Sequence, residues 1–196
     1  MRVLIACEFS GIVRDAFRCH GHDAWSCDLL PCEADPRFHL QMDCEQAIDE
    51  NEWDLMIAHP PCTYLCNSGV RWLIDNGARA ELMVKAGQFF ERLLHAPVER
   101  IAAENPIPHH WAIGVIGRKY DQIIQPWWFG TPETKATCIW KKNLPDLVPT
   151  NIVSGRIPRV HHASPGPNRW KERSRTDPNI AEAMAVQWGS FIERND

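Results

Sequence analysis

No apolar run in this chain of 196 residues approaches the ~18 needed to cross a bilayer, so a helical membrane span is excluded. The first residues also lack the basic, apolar and small-residue regions of a secretion signal, which predicts a cytoplasmic protein. Cysteine occurs at positions 7, 19, 27, 32, 44, 62, 66 and 138 without paired spacing or a Cys-x-x-Cys, which predicts free thiols rather than a disulfide framework. Cys19, His20, His22 and Cys27 match no common zinc spacing, and no metal is expected. An excess of positive charge is missing too, with 21 basic against 25 acidic residues. That balance excludes a protein that holds nucleic acid through its global charge. What remains, at 44% hydrophobic and 23% charged, is the composition of one soluble globular domain able to bury a core without staples.

The average charge conceals an asymmetry. Residues 1–54 carry 4 basic and 12 acidic side chains, whereas residues 151–176 carry 6 basic side chains and the single acid Glu172. One end repels phosphate and the other attracts it.

Short apolar runs alternate with helical patterns along the chain. Residues 2–7 (RVLIAC) predict a strand, followed by Glu8-Phe9-Ser10-Gly11 and a helical pattern through Ile12, Val13, Ala16 and Phe17. Residues 22–27 predict a second strand ending on Asp28, and residues 53–58 a third ending on His59-Pro60-Pro61-Cys62. A helix over 78–95 and a strand over 98–103 ending on Glu104-Asn105-Pro106 follow. This alternation predicts an α/β fold with a mostly parallel, Rossmann-like sheet in a single domain over 1–196. Ligands of such sheets bind beyond the carboxyl ends of the strands, where all these polar residues fall. Residues 151–178, rich in Pro, Ser and Arg and without periodicity, predict a basic loop, and residues 179–193 a closing amphipathic helix. The pairs His109-His110 and His161-His162 have no acid or thiol at useful spacing and read as surface residues.

A cysteine on a stiff Pro-Pro turn at a sheet edge is presented at a fixed angle, as an attacking thiolate requires; a buried structural thiol is the alternative for Cys62. Cys66-Asn67-Ser68-Gly69-Val70-Arg71 looks like a phosphatase cradle, but only four residues separate Cys from Arg where that motif has five. The Pro-Pro-aromatic turn of amino-group methyltransferases fails as well, because Cys62 stands at the stacking position and His59 at the amino-accepting one.

Three segments in order resemble the S-adenosylmethionine-dependent cytosine-C5 DNA methyltransferases. They are Phe9-Ser10-Gly11 after the first strand, residues 61–69 (Pro-Cys-Thr-Tyr-Leu-Cys-Asn-Ser-Gly) as the nucleophile loop, and Glu104-Asn105-Pro106. The tail, with Trp128-Phe129-Gly130, Lys135-Ala136-Thr137, Arg173-Ser174-Arg175-Thr176 and Gln187-Trp188-Gly189, resembles small phage-type members, which implies the cytoplasm of a bacterium or phage-infected host. The resemblance implies a methyltransferase fold and S-adenosylmethionine as methyl donor. Cys62 would add to C6 of cytosine, and Glu104, as a protonated acid, would relieve charge at N3. Phe9, Gly11 and Pro60 would line the donor, Asp28 would take its ribose hydroxyls and Asp43 its adenine amino group. Asn105, Lys135, Arg173 and Arg175 would serve the substrate, DNA, drawn by residues 151–176. Trp127, Trp128 and Trp140 are either base-stacking or core residues. No protein partner is implied.

Departures from the family are equally visible. Ile12-Val13-Arg14 replaces its glycine-rich turn, Lys135-Ala136-Thr137 is the nearest counterpart of its Gln-x-Arg-x-Arg, and there is no room for its large recognition domain. Two other readings therefore stand beside a DNA enzyme: a C5-modifying enzyme of free pyrimidine nucleotides, and a catalytically silent DNA-binding module of the same fold.

Overall fold

Strands buried on both faces need apolar side chains at every position, and Arg2–Ala6 and Leu55–Ala58 supply them: from Val3 and Leu55 onward all are fully buried. They lie at the centre of a seven-stranded sheet in a computed structural model that describes residues 1–71 and 77–194. Its strands are β1 (Arg2–Ala6), β2 (Asp23–Cys27), β3 (His39–Leu40), β4 (Leu55–Ala58), β5 (Arg100–Pro106), β6 (Gln122–Ile124) and β7 (Thr137–Lys142). They are ordered β3-β2-β1-β4-β5-β7-β6. Pairing is parallel from β3 to β5, and β7 runs antiparallel to both β5 and β6. The α/β, mostly parallel architecture is the one expected.

Alternation along the strands divides the core in two. Leu4, Ala6, Met56, Ala58, Ile101 and Trp140 share one side with Phe90 and Leu93 of α3 (Gly77–Leu94). Val3, Ile5, Leu55 and Ile57 share the other with Val13 and Phe17 of α1 (Ile12–Cys19) and Met184 and Trp188 of α7 (Pro178–Glu193). The closing helix starts where its local chemistry dictates, with Pro178 in the first turn and the Asp177 carboxylate accepting from Asn179 N (3.0 Å) and Ile180 N (3.3 Å).

Two expectations change. The fourth predicted strand runs to Pro106, because β7 continues its ladder past the end of β4, pairing Glu104 with Ile139 and Asn105 with Cys138. Glu104 and Asn105 are thus strand residues standing beyond Ala58, the last residue of β4, which pairs with Ala103. The stretch 151–178 is only partly loop, since it carries α5 (Arg159–His162) and α6 (Arg169–Ser174). Helices of four and six residues are too short to imprint a period on a sequence. Two further short helices, α2 (Cys44–Asp49) and α4 (His110–Ile116), follow β3 and β5. Among the described residues no helix is long and apolar enough to cross a membrane.

Candidate active site

The strand order reverses direction between β1 and β4, which opens a crevice at their carboxyl ends. The chain leaves β1 through Cys7, held at a positive φ of 59°, and turns into α1 at Gly11, with φ 76°. Glu8 is buried here, and its carboxylate accepts from Val13 N (2.8 Å), Arg14 N (3.2 Å) and Ser10 Oγ (3.0 Å). The positive end of α1 is therefore already satisfied by an acid of the chain itself.

The departure at Ile12-Val13-Arg14 has a structural purpose. Val13 joins the core, and the fully buried Arg14 reaches Asp15 (2.7 Å), Ser26 Oγ (3.2 Å) and the Asp35 carbonyl (2.9 Å), fastening the loop after β2. At Gly11 the positive φ favours glycine, and a Cβ there would also stand 2.7 Å from Arg14 Nη2 and displace that side chain.

Of the residues expected to line the donor, Phe9, Gly11, Asp28 and Asp43 lie on this side and Pro60 on the other. Glu8 N bonds to the Cys27 carbonyl (3.0 Å), and Cys7 Sγ lies 3.7 Å from Cys44 Sγ, so the ends of β1 and β2 meet the start of α2. Asp28 accepts from Leu30 N (2.9 Å) and Asp43 from Glu45 N (2.9 Å), each through one oxygen in a local turn or cap. Their second oxygens are not needed for those turns. Phe9 is buried, 5.7 Å from the ring of Trp170, so α6 lies across the β1 loop.

On the other side of the crevice, the Pro-Pro-Cys turn is buttressed by residues far along the chain. Asn105 Nδ2 donates to the carbonyl of the buried Pro60 (2.9 Å). Leu65 N and Cys66 N return to the Cys62 carbonyl (3.0 and 3.1 Å), Asn67 N donates to Ile107 O (3.0 Å) and His109 N to Leu65 O (3.0 Å). His109, expected at the surface, is buried: its Nδ1 accepts from Ala112 N (3.0 Å), capping α4, which leaves Nε2 to donate to Tyr64 O (3.0 Å). His110, His161 and His162 are exposed.

Cys62 and Cys66 share a titration. The neighbouring Cys66 sulfur, then burial, pushes the Cys62 thiol up. Cys66 is pulled down to about 5 by Cys62, with the Ser68 hydroxyl and backbone N–H adding to the effect.

Glu104 is 8% exposed. Burial pushes its carboxyl up, yet the adjacent His59 and the positive charge of Lys135 outweigh it and hold the group below the ordinary glutamate range. That direction is opposite to the one a resting protonated acid would show. Lys135 lies near enough to act on Glu104, with its Nζ held by the carbonyl of Arg175 (2.7 Å).

The basic segment folds back onto the acidic half. Arg175 pairs with Glu33 (2.7 Å), and Lys171 approaches the same carboxylate (3.7 Å). Ser174, Arg175 and Thr176 close a cleft whose other wall is Cys7, Glu8 and His59. Arg175 is thereby engaged within the chain, while Arg173 buries its Nε without a hydrogen-bond partner among the described residues. Trp140 is a core residue bonded to Arg118 O (3.1 Å), and Trp127 lies under Arg156, 3.6 Å from its ring centre. Sequence reasoning missed Trp170, Glu33 and the buried state of His59. The only signal for them was His59 at the strand end and Trp170 within the basic segment.

No family model and no curated protein matches the sequence. Among solved structures, the chain is similar to an E. coli prophage protein described as a DNA modification methyltransferase, at 14% identity and a TM-score of 0.48, over 84% of this chain and 55% of that one. It is similar to Entamoeba histolytica methyltransferase EhMeth at 14% identity and a TM-score of 0.48, over 79% and 57% of the two chains. Against a Spodoptera frugiperda DNMT2 variant the identity is 13% and the TM-score 0.40, over 79% and 57%. The chain spans a little over half the length of each of these structures.

Proposed function

We propose that the chain is a methyltransferase that uses S-adenosylmethionine to methylate C5 of cytosine in DNA through a covalent adduct on Cys62. The observation that carries this reading is the Pro61-Cys62 turn, braced by the Asn105–Pro60 bond and set beside the buried Glu104. The donor fits the residues present: a strand-end carboxylate with an oxygen to spare at Asp28, a second at Asp43, and the aromatic wall of Phe9. When bound it supplies an electrophilic methyl group.

The chain's own residues do the rest. Cys62 attacks C6 as the thiolate. Asn105 keeps the turn from recoiling. Glu104, in its protonated form, hydrogen-bonds at N3, where charge develops. Because C6 lies within the stack of a duplex, the base must be turned out of it.

A nucleotide-level enzyme is the second reading. It is favoured by the Glu33 ion pairs, which consume the charge of Lys171 and Arg175 inside the molecule. The deciding experiment incubates the protein with labelled donor and duplex DNA, single-stranded DNA or deoxycytidylate, followed by nucleoside analysis. Label in 5-methylcytosine from DNA supports the proposal, label only in the nucleotide supports the second reading, and label in neither overturns both.

A further inference from the structure

We propose that the buried imidazole of His59 is the proton partner of Glu104, so that the pair, and not the carboxyl alone, supplies the proton that the pyrimidine ring takes up. The inference rests on the cytosine-C5 reading and deepens it.

The observation behind it is an unsatisfied ring. The side chain of His59 is 9% exposed, and neither Nδ1 nor Nε2 has a hydrogen-bond partner among the described residues. A buried polar group without a partner costs roughly 1–3 kcal/mol, and native structures keep few of them away from sites of function. The ring is not adrift, because His59 N donates to Ala6 O (2.9 Å), fixing the residue across β1 and β4. Its Nδ1 stands 3.8 Å from Glu104 Oε1, beyond a hydrogen bond but within one small movement of it. The same ring lines the cleft against Cys7, Glu8 and Arg175.

An ionised carboxylate at the burial of Glu104 needs a compensating charge. Lys135 contributes, but its ammonium is already bonded to the Arg175 carbonyl. Among the described residues the His59 ring has no competing hydrogen bond, and an imidazolium there both neutralises the carboxylate and has a proton to give.

The step balances as follows. Formation of the bond between Cys62 sulfur and C6 drives an electron pair through the ring to N3. The His59 imidazolium passes its proton to the Glu104 carboxylate, which hands it on to N3. C5 takes up the methyl group as the donor's sulfur–methyl bond breaks, the C5 proton leaves to water, the Cys62 sulfur departs with the bonding pair, and N3 returns its proton through Glu104 to His59. The charged and titratable groups facing the pair are Cys7 and Glu8 from the β1 loop, Cys62 from the same turn, Cys138 and Lys135 from the β7 side, and Arg175 from the chain after α6.

The test measures turnover of wild type, His59→Gln, His59→Asn and Glu104→Gln across about pH 5.5–9, beside adduct formation on DNA containing 5-fluorocytosine and thermal melts. Both His59 variants are expected to lose on the order of 10- to 100-fold in kcat with KM for DNA within about twofold. The alkaline limb of the profile should move to lower pH, because the proton is then held by the carboxyl alone. In the Glu104→Gln background the His59 change should cost less than about twofold more. An unmoved limb, or losses that multiply in the double variant, would reduce His59 to packing. If wild type itself forms no adduct, the C5 reading falls and this inference with it; an adduct with an unmoved limb overturns the inference alone.

Discussion

The two walls of the crevice differ in how their polar groups are employed. On the β1–β2 wall the acids already serve the fold: Glu8 caps α1, Asp28 closes a turn and Asp43 caps α2, each through bonds to backbone N–H groups. On the β4–β5 wall the backbone is pinned, while the His59 ring nitrogens and the Asn105 Oδ1 are buried without hydrogen-bond partners among the described residues. A wall whose carboxylates are settled can bind a ligand with its remaining lone pairs and lose little when unoccupied. A wall that keeps unsettled polar atoms holds them for groups that change charge during a reaction.

Substitutions on the two walls should therefore fail differently. The largest effect belongs to Cys62→Ala, which should remove turnover by on the order of 10⁴-fold or more and abolish the 5-fluorocytosine adduct while leaving donor binding intact. An adduct that persists would transfer the attack to Cys66. Next, Asn105→Ala should lower kcat by roughly 10- to 100-fold through loss of aim and stability by about 1–3 kcal/mol. Asp28→Asn, on the opposite wall, should raise KM for the donor about tenfold with kcat nearly unchanged. Steady-state kinetics that show the same kcat-to-KM split for both variants would erase the distinction between the walls.

A smaller effect tests the basic segment. Replacing Arg173 and Arg175 with Ala should flatten the dependence of log K for duplex on log salt by roughly one to two units. Glu33→Gln, which releases Lys171 and Arg175, should steepen it and tighten binding a few-fold. A flat salt response in all forms would mark a nucleotide-level enzyme. The smallest effect concerns Asp35, whose carboxyl is pulled down to about 2 from 3.8 by hydrogen bonds from Arg37. A lowered folded value means that its contribution is present above about pH 4 and lost as pH falls toward 2, so the difference in melting temperature between wild type and Asp35→Asn should narrow across that window.

The sheet was legible where burial made it so. Residues 2–6 and 55–58 are continuous apolar runs because both faces of their strands are covered. The two residues of β3 and the three of β6 carry no pattern of their own and exist through their neighbours. The nucleophile turn could be read because its proline and cysteine are adjacent. The partners of that turn could not: Asn105 lies 45 residues from Pro60, and Arg175 lies 142 from Glu33. The same holds for His109, a surface residue by composition and a buried cap in the fold.

The bracing of residues 62–67 by the chain after β5 also has a dynamic consequence. An ordinary surface loop exchanges its amide hydrogens with solvent almost freely. Here Leu65, Cys66 and Asn67 all donate to backbone carbonyls, and His109 returns the tie to Leu65. Freeing Asn67 means parting it from Ile107, just past the end of β5. The segment that carries the attacking sulfur should therefore be protected from exchange to nearly the degree of the central strands, opening with the sheet rather than ahead of it.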